Sequence, residues 1–426
     1  MTSKPNTLPG PHDTLRVELP NGITVLAREN FASPSVVVNG YLLAGAEDEP
    51  AEKAGLAVLT ADVMERGTKQ RPFARLYEAI EWIGASFGLD AGTHITSLGG
   101  KALREDLPLL LEIIADVVRN PAFEPDEFRR AKGEHLTDLE ERAFNTRAMA
   151  TLLLHELLYP AEHPYHRSIN GTVETVERIT LEDVVAFHRR FIAPQGMVVA
   201  VVGGIKAEEA VAAVEAAFGD WEGERPPRPD LPPVPPLREA RRGFHPIADK
   251  TQSDLRLGWI GPSRFADDFL AAHLANTLFG IFGMMGRLGK RVREENGMAY
   301  YVYSRLGGGF GPAPWRVIAG VNPQRVEEAV QLILEETRRL LEQPIAEEEL
   351  ADCKSYLIGS LPLSLETNEG VATTLTYIER YRLGLDYLQR YPELIGELDG
   401  EAVQAAARHY LDPDRYALAV AGPEEA

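Results

Sequence analysis

The chain has 426 residues, 44% of them hydrophobic and 25% charged, which is the make-up of an ordinary folded protein and more than one core can hold, so two or three domains are expected. Its formal net charge of -20 repels phosphate backbones and anionic headgroups, which argues against nucleic-acid and membrane partners. The single Cys353 excludes an intramolecular disulfide and a cysteine metal cluster, and its helical setting marks a packed thiol rather than a nucleophile.

In chain order, the opening Met1 to Gly10 has no apolar run of the length an export signal needs, and no later stretch reaches the roughly 18 apolar residues of a membrane span, so a cytoplasmic protein is expected. A hairpin is predicted from Thr14 to Arg28, turning at Pro20-Asn-Gly22, then a strand from Ser35 to Ala44. Helices are predicted near Ala51 to Arg66 and Phe73 to Ile83, followed by a strand near Ser86 to Leu98. Further helices follow at Arg104 to Arg119, Pro125 to Leu158 and Leu181 to Phe191, and a strand after Pro194.

The chain then repeats itself. Arg190-Phe-Ile-Ala-Pro194 through Gly203 aligns without a gap on His409-Tyr-Leu-Asp-Pro413 through Gly422, an offset of 219. Each copy reads as a helix end, a proline that stops it, and a short apolar strand closed by glycine. A second pair, Asn120-Pro121 and Gln343-Pro344, is offset by 223, and each member is followed by the acidic start of a long helix. Between the halves, the prolines of Arg225 to Pro236 forbid a helix and favour an extended connector. The expected organisation is an α+β domain at 1–224, a linker at 225–240 and a second α+β domain at 241–426, related by duplication.

Two segments carry the candidate chemistry. Gly55-Leu-Ala through Arg66-Gly-Thr68 resembles the zinc helix of the M16 metallopeptidases, the pitrilysin, insulinase and mitochondrial-processing-type family. The likeness extends to Leu19-Pro-Asn-Gly-Ile-Thr-Val-Leu26, Asn120-Pro-Ala-Phe123, His163 to Gly171 and the strand from Pro194 to Gly203. A zinc helix needs His residues at i and i+4, a Glu between them and a third ligand from elsewhere. The matching positions here are Val58, Ala61 and Asp62, and the family's third ligand falls near Asp138, 76 residues after Asp62. That set implies no metal in this chain.

The second segment, Gly286 to Ser304, is similar to the family stretch carrying an Arg and a Tyr seven residues apart, here Arg293 and Tyr300. Guanidinium and phenol donors stabilise the oxyanion that develops when a peptide carbonyl is attacked, or hold the substrate backbone. Gly297 is expected to end the helix so that Tyr300 opens the next strand. From the bare pattern a surface Arg and a packed strand Tyr is the simpler reading; the family context reverses that preference.

Taken together, the resemblance implies two M16-type domains forming a clamshell half, and a non-catalytic subunit that lends Arg293 and Tyr300 to a zinc-bearing M16 partner in a heterodimer, with zinc in the partner and peptide as substrate. Peptides would join as an added strand near Ser86 to Leu98, although Gly88, Gly92, Gly99 and Gly100 interrupt that edge. Two alternatives remain open: a purely structural M16-fold subunit, and an independent hydrolase with an unrecognised site.

Other signals point to structure. Gly84-Ala-Ser86-Phe-Gly88 has the spacing of a nucleophile elbow but is preceded by a helix and followed by a strand, the reverse of what that turn needs. Gly307 to Pro314 lacks the Lys-Ser/Thr of a phosphate loop and reads as a hairpin connection. His163 and His166 are expected in loop packing, His155 and His188 at core boundaries, and His135 with Asp138 on a solvated helix face.

Overall fold

A computed structural model describes residues 8–228 and 230–424. The strands of the first half are β1 (Thr14–Glu18), β2 (Thr24–Glu29), β3 (Ser35–Leu42), β4 (Ser86–Ala91), β5 (Thr96–Leu103) and β6 (Val198–Gly203). Its helices are α1 (Leu56–Met64), α2 (Phe73–Trp82), α3 (Leu107–Arg119), α4 (Pro125–Arg142), α5 (Thr146–Leu158), α6 (Val173–Glu177), α7 (Leu181–Phe191) and α8 (Ala207–Phe218). The second half has β7 (Arg241–Pro246), β8 (Ser253–Ile260), β9 (Ala299–Leu306), β10 (Pro314–Val321) and β11 (Ala417–Gly422). Its helices are α9 (Phe269–Gly280), α10 (Phe282–Leu288), α11 (Val326–Glu342), α12 (Glu347–Ser364), α13 (Asn368–Arg380), α14 (Tyr387–Gly396) and α15 (Gly400–Tyr410).

Both halves run the same path. The first sheet has the order β1-β2-β6-β3-β5-β4 and the second β7-β11-β8-β10-β9. In each, one parallel pair, β2 with β6 or β7 with β11, joins an otherwise antiparallel sheet. The repeat detected in the sequence is β6 and β11, six residues each and buried throughout. A strand buried on both faces must be apolar at every position, which is why Val-Val-Ala-Val-Val stands out.

What covers those second faces was not expected. The described residues divide into two compact units, 8–139, 168–228 and 361–390 in one, 140–167, 230–360 and 391–424 in the other. Each half therefore gives a helix to the other's unit, and a division into 1–224 and 241–426 assigns α5 and α13 to the wrong sheets. In the first unit, Val199 and Val201 of β6 face the core built with α1, α3, α7 and α8, while α13 packs across β3 and β6. In the second, Leu418 and Val420 of β11 join the main core, while Ala417 and Ala419 meet Leu154 and Leu158 of α5 and Tyr159 just after it.

The predicted helix from Pro125 to Leu158 is two helices for a local reason. Asn145 takes extended backbone angles, and its side chain accepts a hydrogen bond from the Ala148 N–H at 3.1 Å, capping α5 afresh. Asn145→Ala is expected to cost about 1 kcal/mol of stability, read by urea unfolding. The predicted strand from Ser86 to Leu98 is likewise a hairpin, turned where the Gly92 N–H donates to the Ile95 carbonyl at 2.8 Å.

Candidate functional site

Helix α1 starts at Gly55, whose φ of +99° favours glycine and where a Cβ would lie 2.9 Å from the Asn170 carbonyl oxygen. One side of the helix is core, and Ala61 belongs to it, 3% exposed. Val58, Asp62 and Glu65 occupy the half-buried side at i, i+4 and i+7. Asp138, the expected third-ligand position, is exposed. Instead His135 approaches Asp62, with Nδ1 3.9 Å from the carboxylate, an ion-pair separation rather than a hydrogen bond, while its Nε2 lies 2.8 Å from the Asn170 carbonyl.

His135 is thus buried and not on a solvated face, a correction to the sequence expectation. Burial alone would lower the imidazole, but Asp62, the Asn170 carbonyl and Asp138 together hold its pKa above the ordinary value. An imidazole stabilised as a cation beside a carboxylate is an ion pair and not a zinc ligand set, which needs neutral imidazole and three protein donors. Val58 and Ala61 can donate nothing, and among the described residues no three His, Cys, Asp or Glu side chains are grouped to hold a metal. Zinc does not fit here.

One turn on, Glu65 accepts a hydrogen bond from the Leu89 N–H of β4. Because β4 is the sheet's edge strand, that N–H would otherwise be available to an added peptide strand, which would have to displace Glu65. Burial pushes the Glu65 carboxyl up to about 7, against the Leu89 hydrogen bond that favours its ionised form. A carboxyl raised on folding gives stability that is complete below its unfolded pKa and lost as pH rises through the folded value. Glu65→Gln is therefore expected to gain on the wild type by about 2 kcal/mol between about pH 5 and pH 8, measured by urea unfolding across that range.

In the second half, α9 is followed by an irregular stretch at Gly283 to Gly286 and by a π-type turn at Gly289–Glu294. Gly297, at φ +59°, ends it, with its N–H donating to the Arg293 carbonyl at 3.0 Å and the Met298 N–H to the Val292 carbonyl at 2.9 Å. The chain enters β9 at Ala299, as expected, and there the pairing slips: Gly320 faces Tyr301 and Val321 faces Ala299, so Tyr300 is the extra residue of a bulge. Its ring is 64% exposed.

Arg293 is half-buried. Its neighbours are engaged, Arg287 with both Glu349 oxygens at 2.7 and 2.6 Å and Arg291 with Glu295 and Glu335 at 3.4 Å. Neither Arg293 nor Tyr300 makes a side-chain hydrogen bond or ion pair among the described residues. Two unspent donors, a guanidinium on a π-turn and a phenol on a bulge, can serve a developing negative charge.

The four other histidines singled out in the sequence are structural. His155 Nδ1 bonds the Tyr165 carbonyl at 2.7 Å and burial pulls its pKa down to about 4; His188 Nε2 bonds the Val118 carbonyl at 2.8 Å. His163 stacks on Tyr159 and accepts from the Tyr165 N–H, and His166 bonds the Tyr159 carbonyl.

The profile described as insulinase, peptidase family M16, matches residues 24–172, and that described as peptidase M16 inactive domain matches residues 178–357. The chain belongs to the M16 peptidase family. It is 29% identical over 417 residues, 96% of this chain and 91% of the other, to an uncharacterized zinc protease of Mycobacterium leprae. It is 24% identical over 421 residues, 96% of this chain and 84% of the other, to the mitochondrial-processing peptidase subunit beta of Bos taurus. A crystal structure of a peptidase M16 inactive domain from Pseudomonas fluorescens superposes with a TM-score of 0.89 at 26% identity, covering 97% of this chain and 98% of that one. The two α+β domains are those of M16 structures. Glu65 escaped the sequence reading, although it continues the i, i+4, i+7 stripe that Val58 and Asp62 begin, and His135 was noted there but set on a solvated face.

Proposed function

We propose that this M16 chain is the non-catalytic subunit of a heterodimeric zinc metallopeptidase, lending Arg293 and Tyr300 to the zinc site of a partner for cleavage of unstructured peptides. The observation that carries this reading is a contrast within one chain. The α1 positions hold Val58 and Ala61, with Asp62 beside His135, whereas Arg293, half-buried, and Tyr300, exposed, are present and unpaired among the described residues. A bovine relative is itself named as a subunit. In the complex the guanidinium and phenol would donate to the oxyanion forming on the scissile carbonyl, a role that leaves nucleophile activation to the partner. The partner supplies the zinc.

Purified alone, the chain is expected to bind no stoichiometric zinc and to leave a flexible reporter peptide intact; mixed with an M16 chain that carries His-x-x-Glu-His, it is expected to restore cleavage. Stoichiometric zinc and turnover by the isolated chain would establish it as an independent hydrolase instead.

A further inference from the structure

The second sheet has two unlike faces. Trp315, Val317, Ala319 and Val321 of β10 point into the core. The intervening residues, including Arg316 and Ile318, lie on the opposite face, where α5 packs over β7, β11 and β8. Register puts Arg305 of β9 directly opposite Arg316, and Tyr303 opposite Ile318. Directly opposed like charges on one sheet face oppose folding, and their side chains stand within about 5.5 Å at Cβ.

Arg316 Nε is buried and has no hydrogen-bond partner, and neither Arg305 nor Arg316 makes an ion pair or side-chain hydrogen bond among the described residues. Burial and then the neighbouring Arg305 and Arg256 bring the Arg316 guanidinium down to about 10. Asp254, on the same face of β8, is already taken by the Tyr301 hydroxyl, by Thr146 at 2.6 Å, and by Arg147 and Arg256 at 3.7 and 3.8 Å. This happens in a chain whose 64 carboxylates outnumber its 44 Lys and Arg residues. A buried donor left unsatisfied beside a second cation is a place where an external anion would relieve both costs.

We propose that Arg305 and Arg316, together with the Tyr303 hydroxyl, form a carboxylate-binding site that receives a Glu or Asp side chain of a peptide lying across this face. Paired guanidinium forks match the planar carboxylate and hold it bidentately. Arg305 is exposed, so a passing chain can reach it. That the carboxylate arrives on a peptide rests on the function proposed above, and the site would then give the complex a preference for acidic residues at a fixed distance from the cut.

The test uses the full chain without any partner, so a negative result leaves the Arg293 and Tyr300 assignment intact. A labelled flexible peptide with one central glutamate, its glutamine counterpart and its C-terminally amidated form are titrated by fluorescence anisotropy. The glutamate peptide is expected to bind at least about tenfold more tightly than the glutamine peptide, amidation to change nothing, and Arg305→Gln to abolish the difference. Arg305→Glu, which supplies the missing counter-charge internally, is expected to abolish binding and to raise Tm. Equal binding of the two peptides, a preference that survives Arg305→Gln, or binding that depends on the free C-terminus would overturn the proposal. Arg316→Met repeats the test at the half-buried position, and should it fail to fold, Arg305→Gln at the exposed position decides alone.

Discussion

Arg293→Ala in the reconstituted two-chain peptidase is expected to lower kcat/KM by about 100- to 1,000-fold, the loss that follows removal of one preorganised oxyanion donor. The loss is expected in kcat more than in KM, because the carbonyl oxygen carries full charge only as the tetrahedral centre forms. Tyr300→Phe should cost less, since a neutral phenol offers one hydrogen bond where the guanidinium offers a charge and a fork. Stability provides the control. Arg293 has no ion pair to lose and Tyr300 is 64% exposed, so neither substitution should shift unfolding by more than about 0.5 kcal/mol. A catalytic loss with unchanged unfolding separates a reacting-group role from a structural one.

The second large effect is expected at Asp254→Ala. This carboxylate is 1% exposed, accepts from Thr146 at 2.6 Å and from the Tyr301 hydroxyl, and lies 3.7 and 3.8 Å from Arg147 and Arg256. Arg147 also stacks over the Tyr301 ring at 4.7 Å. Removing the one carboxylate leaves the buried Arg256 uncompensated, which costs about 3–5 kcal/mol, whereas Asp254→Asn keeps an acceptor for Thr146 or Tyr301 and should cost less. Because α5 carries Thr146 and Arg147, the cluster also ties this helix to the sheet, and its loss should show as a lower urea midpoint. The Tyr301 phenol gives a second readout. Burial first, and the Asp254 carboxylate after it, push it up to about 12, so Asp254→Asn should bring its titration down.

These residues also mark how far the sequence could be read. The duplication was visible because β6 and β11 are apolar at every position, and only a strand covered on both sides demands that. What covers them was not visible. Helices α5 and α13 each show an apolar stripe, and a stripe says that a helix packs without naming the sheet that receives it. The break at Asn145 was hidden because the residues on both sides form helix readily, and a single cap decides the boundary. Arg293 and Tyr300 were found through the family likeness, and the stop at Gly297 through its turn chemistry. The bulge that frees Tyr300 depends on pairing with Gly320 and Val321 some twenty residues away, which no local pattern encodes. His135 was misplaced because the glutamates around it read as solvent-facing, while its own side chain turns to Asp62 and Asn170. The Arg305 and Arg316 pair is likewise a product of register.

The most direct test of the central claim compares three samples at equal concentration of a zinc-bearing M16 partner: the partner alone, the partner with this chain, and the partner with this chain carrying both Arg293→Ala and Tyr300→Phe. Assembly is checked by size-exclusion chromatography and cleavage is followed with a flexible peptide. Both chains are expected to assemble with the partner, and only the unsubstituted one to restore cleavage. Equal cleavage with the doubly substituted chain would contradict that claim.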